Sequence, residues 1–67
     1  MYFWVYKDVA GEWRWRMVST NEKIIADSAE GYTNRADCIH AVNLIKTWAS
    51  SAQMWDGTSK PATEIVI

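Results

Sequence analysis

The chain has 67 residues, with seven Lys and Arg against eight Asp and Glu for a formal net charge of −1. That length admits one domain and excludes a dinucleotide-binding half-fold or a barrel enzyme. With 49% hydrophobic and 22% charged residues the composition is that of a folded domain, and the near-neutral balance sets up no general field that draws in nucleic acid or anionic lipid.

Residues 2–6, Tyr-Phe-Trp-Val-Tyr, are all strand formers. Their period of two puts Tyr2, Trp4 and Tyr6 on one face and Phe3 and Val5 on the other. A turn follows over Lys7 to Glu12, with Gly11 as the residue suited to positive φ. Residues 13–18, Trp-Arg-Trp-Arg-Met-Val, show the cleanest alternation in the chain. Trp13, Trp15 and Met17 share one face and Arg14, Arg16 and Val18 the other, as in a half-buried antiparallel strand paired with the first. Ser19-Thr20-Asn21-Glu22 makes the next break; Glu22 stands where a glycine would have completed a strong hairpin signal. Lys23-Ile24-Ile25-Ala26 reads as a third strand.

A helix then opens at Thr33 or Asn34, with Asp37 in its first turn and Lys46 near its far end, matching the helix dipole. Cys38, Ala41, Val42, Ile45, Trp48 and Ala49 recur at steps of three and four and form one apolar stripe, while His40, Asn43 and Thr47 lie opposite. Ser50-Ser51 ends the helix. A short Gln53-Met54-Trp55-Asp56 segment, a breaker over Gly57 to Pro61 and a β-branched tail over Thr63 to Ile67 complete the chain. The predicted fold is α+β: a three-stranded antiparallel sheet in the order β-β-β-α, one helix on one sheet face, and a short C-terminal strand. Residues 1–56 form the domain and residues 57–67 a tail.

Five Trp and three Tyr bring a large apolar surface to a small chain, since each ring can bury roughly 150–250 Å². Cys38 is the single cysteine, so no disulfide within the chain reinforces the fold, and one thiol fits a reducing compartment. Burial contributes on the order of 100 kcal/mol for a chain of this size, and ordering its residues costs about as much. The near-zero balance makes oligomerisation an expectation. The opening apolar run is short for a signal core and meets Lys7-Asp8 at once, and no run approaches the ~20 residues that span a bilayer, so the expected location is cytoplasmic.

The residues offer little chemistry. One His and one Cys fall short of a zinc set, and Cys38 and His40 point ~200° apart around a helix. That divergence also argues against a thiol–imidazole pair, and Cys38 on the apolar stripe reads as a packing thiol. Asp8, Glu12, Asp27 and Glu30 fall in turns, where no spacing fixes an acid–base pair, and Gly11, Gly31 and Gly57 are isolated rather than a phosphate-cradling run. No cofactor or metal is expected, and the chain reads as non-catalytic. The one constellation with binding potential is Trp4, Tyr6, Arg14 and Arg16. If the helix covers the face of Phe3, Val5, Trp15 and Met17, these four lie outside and interleave rings with guanidinium groups. Such a face suits a subunit interface, where Tyr, Trp and Arg are enriched. Single-stranded nucleic acid or a small ligand is the alternative, with nucleic acid disfavoured because the chain is not basic.

The run Tyr6-Lys7-Asp8, the strand Gly11-Glu12-Trp13-Arg14-Trp15-Arg16, then Ile24-Ile25-Ala26, Glu30-Gly31-Tyr32-Thr33 and the helix from Cys38 to Lys46 resemble one copy of the YegP-like domain. The resemblance covers Tyr2 to about Asp56. It implies a three-stranded antiparallel sheet followed by a helix and a short further strand. Members of that family are small, mostly bacterial proteins that commonly carry two tandem copies packed about a pseudo-twofold axis, so a single-copy chain is expected to form the equivalent homodimer. The resemblance brings no enzymatic activity, cofactor or ligand. This sequence departs from the pattern at Glu22, where glycine is common, and in the tail from Gly57 to Ile67.

Overall fold

The computed structural model describes residues 1–66. The expected β-branched tail ends on Ile67, which lies outside the described residues. Three strands, β1 (Tyr2–Lys7), β2 (Trp13–Val18) and β3 (Ile24–Asp27), form an antiparallel sheet in the order β1-β2-β3. Helix α1 (Arg35–Trp48) follows, prolonged by a 3-10 turn over Ala49–Ser51. Strands β4 (Met54–Asp56) and β5 (Thr63–Ile65) then pair with each other in a separate two-stranded sheet. The α+β class, the strand order and the helix after the third strand agree with the sequence reading, and the C-terminal part contains a hairpin.

β1 and β2 pair with Phe3 opposite Met17, Trp4 opposite Arg16, Val5 opposite Trp15 and Tyr6 opposite Arg14. Directly opposed residues share a face, so Phe3, Val5, Trp13, Trp15 and Met17 project together to one side. The helix packs on that side: Phe3, Met17 and Val42 line a common cleft between sheet and helix, and the Phe3 and Trp15 rings meet edge to face at 5.7 Å between centroids. Arg35, in the first helical turn, stands over the Trp13 ring at 5.9 Å. The helix therefore runs from the Trp13 end of the sheet towards Met1 and Tyr2.

The β2–β3 pairing carries a bulge. Val18 faces Ile24 and Met17 faces Ala26, which leaves Ile25 as an extra residue on the edge strand. Beyond β3, Ser28 continues the ladder: its N–H donates to the Trp15 carbonyl at 2.9 Å and its hydroxyl oxygen accepts from the Trp15 N–H at 3.2 Å. Ser28 is buried, and these two bonds satisfy it. Nothing in a lone serine signals in the sequence that it closes a strand.

The turns account for the glycines and for Glu22. Gly11 adopts φ 83° in the β1–β2 turn, as its position predicts. Asp8 organises the same turn: its Oδ1 accepts from the N–H groups of Ala10 and Glu12, each at 2.9 Å. In the β2–β3 turn Glu22 adopts φ 64°, so a residue with a Cβ occupies the left-handed conformation that glycine would take freely. Gly31 answers to close approach instead. A Cβ built there would lie 2.7 Å from the Glu12 Cβ, because Tyr32 pairs reciprocally with Trp13 at 2.7 and 2.8 Å and draws the chain against the start of β2.

Helix α1 begins after Asn34, whose carbonyl accepts from the N–H groups of Asp37 and Cys38; its side chain makes no capping bond. Cys38 and Val42 are buried, but Trp48 is 63% exposed and Ala49 falls in the 3-10 turn. The predicted stripe is therefore only half covered. Its Cys38–Val42–Ile45 side meets the sheet, while Leu44 and Trp48 flank it in the open. A three-stranded sheet is too narrow to hide so broad a stripe. Among the described residues, the buried apolar side chains are Val18, Cys38 and Val42.

Strands β4 and β5 project from the end of the helix. Met54 pairs with Ile65, Trp55 with Glu64 and Asp56 with Thr63. Among the described residues the backbone of this hairpin approaches no other strand or helix closely, and Met54, Glu64 and Ile65 line a shallow cleft with Ser50 and Ser51 of the 3-10 turn. The chain measures 40 × 27 × 21 Å with a radius of gyration of 14.5 Å, against about 11 Å for a compact chain of this length. The excess is the projecting arm.

Candidate functional site

With the helix on the Phe3–Met17 side, the opposite sheet face is bare. It carries Tyr2, Trp4 and Tyr6 from β1, Arg14, Arg16 and Val18 from β2, and Ile24 and Asp27 from β3. The four residues singled out from the sequence, Trp4, Tyr6, Arg14 and Arg16, thus stand together on the outer face, but in two different settings.

Arg14 is tied down. Its Nε donates to Asp8 Oδ2 at 2.6 Å, a charge-assisted bond that spends its guanidinium within the turn. The same bond, with the N–H groups of Glu12 and Ala10, holds the Asp8 carboxyl below its ordinary pKa, and Asp8 in turn raises that of Arg14. The sequence placed Asp8 among solvated turn acids; the structure makes it the organiser of the turn and the partner of Arg14. The six-residue spacing across a hairpin could have suggested this pairing only with the register already known.

Arg16 lies over the Tyr6 ring, 4.5 Å from its centroid, in a cation–π stack. On its other side Arg16 joins Tyr2, Trp4, Val18, Glu22 and Ile24 in lining a shallow open groove. The Tyr2 hydroxyl donates to Glu22 Oε2 at 2.8 Å, and that bond raises the Tyr2 pKa. Trp4 is 56% exposed and Ile24 55% exposed at the rim. The groove combines two aromatic rings, two aliphatic side chains, one cation and one anion over about three strands, a surface suited to binding an amphipathic partner rather than to enclosing a small molecule. Ile24, Val18 and Glu22 were not singled out from the sequence, because the bulge that places Ile24 opposite Val18 has no sequence signature.

The remaining chemistry is sparse. Cys38 is fully buried and burial pushes its thiol pKa up, while His40 is exposed on the far side of the helix. Among the described residues, no three His, Cys, Asp or Glu side chains stand close enough to hold a metal ion. Nor is any helix among them long and apolar enough to cross a membrane.

These features define a small α+β module: a helix-backed three-stranded sheet with an aromatic and arginine-bearing outer face. Residues 8–56 match the model of a family described as a domain of unknown function (DUF1508). The chain is 53% identical over 47 residues to UPF0339 protein NMB1088 from Neisseria meningitidis serogroup B, spanning 70% of this chain and 82% of that one. It is 38% identical over 60 residues to UPF0339 protein Atu0232 from Agrobacterium fabrum, spanning 90% and 95%. A second protein from that organism, Atu5359, is 39% identical over 57 residues, spanning 85% and 90%. The chain belongs to the DUF1508 (UPF0339) family, the YegP-like family that its strand and helix motifs resemble. The family match ends at Asp56, the last residue of β4, so β5 lies beyond it.

Proposed function

We propose that this protein is a non-catalytic interaction module that works in the cytoplasm as a symmetric homodimer. The observation that carries the reading is the uncovered apolar surface. Trp4, Trp48 and Trp55 are 56%, 63% and 54% exposed, and the single chain buries little of its own hydrophobic complement. Around Trp4 the exposure is contiguous, with Tyr2 and Ile24 beside it along the groove, and an apolar patch of that kind marks a site of association. A second copy is the partner that is always present at the same concentration, and twofold contact lets one patch cover its own equivalent.

The outer face also bears on single-stranded nucleic acid as an alternative. Asp8 neutralises Arg14, Asp27 stands opposite Arg16, and Glu22 lines the groove, so the face offers phosphates little net attraction. The expected result of an oligonucleotide titration at low salt is no change in tryptophan fluorescence.

Sedimentation equilibrium tests the dimer directly. The reading expects a mass of twice 7.7 kDa at micromolar concentration. A species that stays at 7.7 kDa through the millimolar range overturns it.

A further inference from the structure

We infer that the outer-face groove binds an extended peptide segment that carries an acidic, an apolar and a basic side chain at alternate positions. The acid sits on Arg16, the apolar group against Trp4, Val18 and Ile24, and the base on Glu22. This goes beyond the homodimer reading and leaves it room: Trp48 and Trp55 belong to the helix and to β4 rather than to the outer face, so a second copy covers them without closing the groove.

The two charges of the groove are each held in place. The Arg16 guanidinium stands over the Tyr6 ring, 4.5 Å from its centroid, and among the described residues no carboxylate lies within ion-pair distance of it. Its planar fork of donors is left to take a carboxylate in two parallel bonds. At the other end the Tyr2 hydroxyl donates to Glu22 Oε2 at 2.8 Å, which fixes that carboxylate and leaves its second oxygen to accept from a cation. Between the charges Trp4, Val18 and Ile24 form an apolar wall, with Trp4 and Ile24 more than half exposed. One cation and one anion give a nucleic acid no net field, whereas a segment with one acid and one base satisfies both ends.

Strand geometry sets the order and the spacing. Trp4 stands opposite Arg16, and Tyr2 and Ile24 stand opposite Val18, two residues further along β2. Glu22 follows in the turn beyond. Successive same-face positions on a strand are about 6.8 Å apart. An extended peptide laid along β2 has the same pitch, so its alternate side chains meet Arg16, the Val18–Ile24 pair and Glu22 in succession. The groove encloses about 280 Å³. That is below the roughly 300–1,000 Å³ of small-molecule pockets and suits the side chains of a strand lying over the surface.

Glu22 supplies an independent sign of use. Its φ of 64° strains a residue with a Cβ where glycine would sit freely, and its exposed bond to Tyr2 returns less than the strain costs. Residues held at such a cost collect at ligand-binding sites, where the strained side chain is the one used.

Titration of the whole chain with end-capped pentapeptides, followed by the Trp4 indole and Arg16 guanidinium N–H resonances, tests the assignment. One of Glu-Thr-Leu-Thr-Lys and its reverse, according to the direction of the bound strand, is expected to bind about fivefold more tightly than versions with two Glu or two Lys. Arg16→Gln should remove the preference for Glu. Glu22→Gly should remove the preference for Lys while leaving the protein at least as stable, which a purely structural Glu22 would not do. Equal binding of all the peptides, no shift at millimolar peptide, or an unchanged preference in either variant overturns the site. Sedimentation of the peptide-saturated chain separates this outcome from the homodimer reading. A dimer that keeps its mass with peptide bound supports both. A dimer that falls to 7.7 kDa shows that the groove is the self-contact and overturns the peptide site. A monomer that binds peptide with the expected preference upholds the site and overturns the homodimer alone.

Discussion

Glu22 is the residue at which backbone and side chain disagree. Its φ of 64° places a Cβ in the left-handed region, which costs on the order of 1 kcal/mol relative to glycine. The return is an exposed bond from the Tyr2 hydroxyl at 2.8 Å, worth less than that strain. Glu22→Gly should therefore stabilise the fold by up to about 1 kcal/mol in urea denaturation. Asp8 presents the opposite case, a side chain that the turn is built around. The Arg14 bond, reinforced by the backbone N–H groups of Glu12 and Ala10, lowers its pKa below the usual 3.8. A carboxyl whose folded pKa is depressed contributes stability that is fully present above the unfolded value and is lost as pH falls through the folded one. Asp8→Asn should consequently melt lower than the wild type at neutral pH. The two melting curves should converge as pH drops from about 5 towards 2. A gap that stays constant across that range would show that the carboxylate charge plays no part.

At the level of elements, the strands and the helix were legible because each is written in a period. Trp13 to Val18 alternates without a break, and its faces fall as the alternation requires. The outward position of Trp4, Tyr6, Arg14 and Arg16 followed once the helix was seen to lie on Phe3 and Met17. What the periods could not convey is how far a covering element extends. The helical stripe reads as one apolar band, yet the sheet reaches only Cys38, Val42 and their neighbours, and Leu44 and Trp48 stay 48% and 63% exposed. The Ile24-Ile25 pair likewise identifies a strand without revealing that it is a bulged, uncovered edge. The β4–β5 pairing escaped because three residues on either side of a loop carry too little pattern to set a register. The helix gives a direct check on where packing stops. Val42→Ala should cost about 2 kcal/mol in urea denaturation, whereas Leu44→Ala should cost under about 0.5 kcal/mol. Comparable losses at both positions would mean that the outer flank of the helix is covered too.

For the whole molecule, the decisive quantity is the coupling between folding and association. A chain that buries Val18, Cys38 and Val42 while leaving Trp4, Trp48 and Trp55 in water has little stability of its own to lose. If a second copy covers part of that surface, unfolding and dissociation become one transition, and mass action ties its midpoint to protein concentration. For two chains of this length the enthalpy at the midpoint is on the order of 90 kcal/mol, so a hundredfold rise in concentration should lift Tm by about 10 °C. A wild-type Tm that stays fixed over that hundredfold range would show that the exposed rings are stable in water without a partner, and that the module folds as a solitary chain.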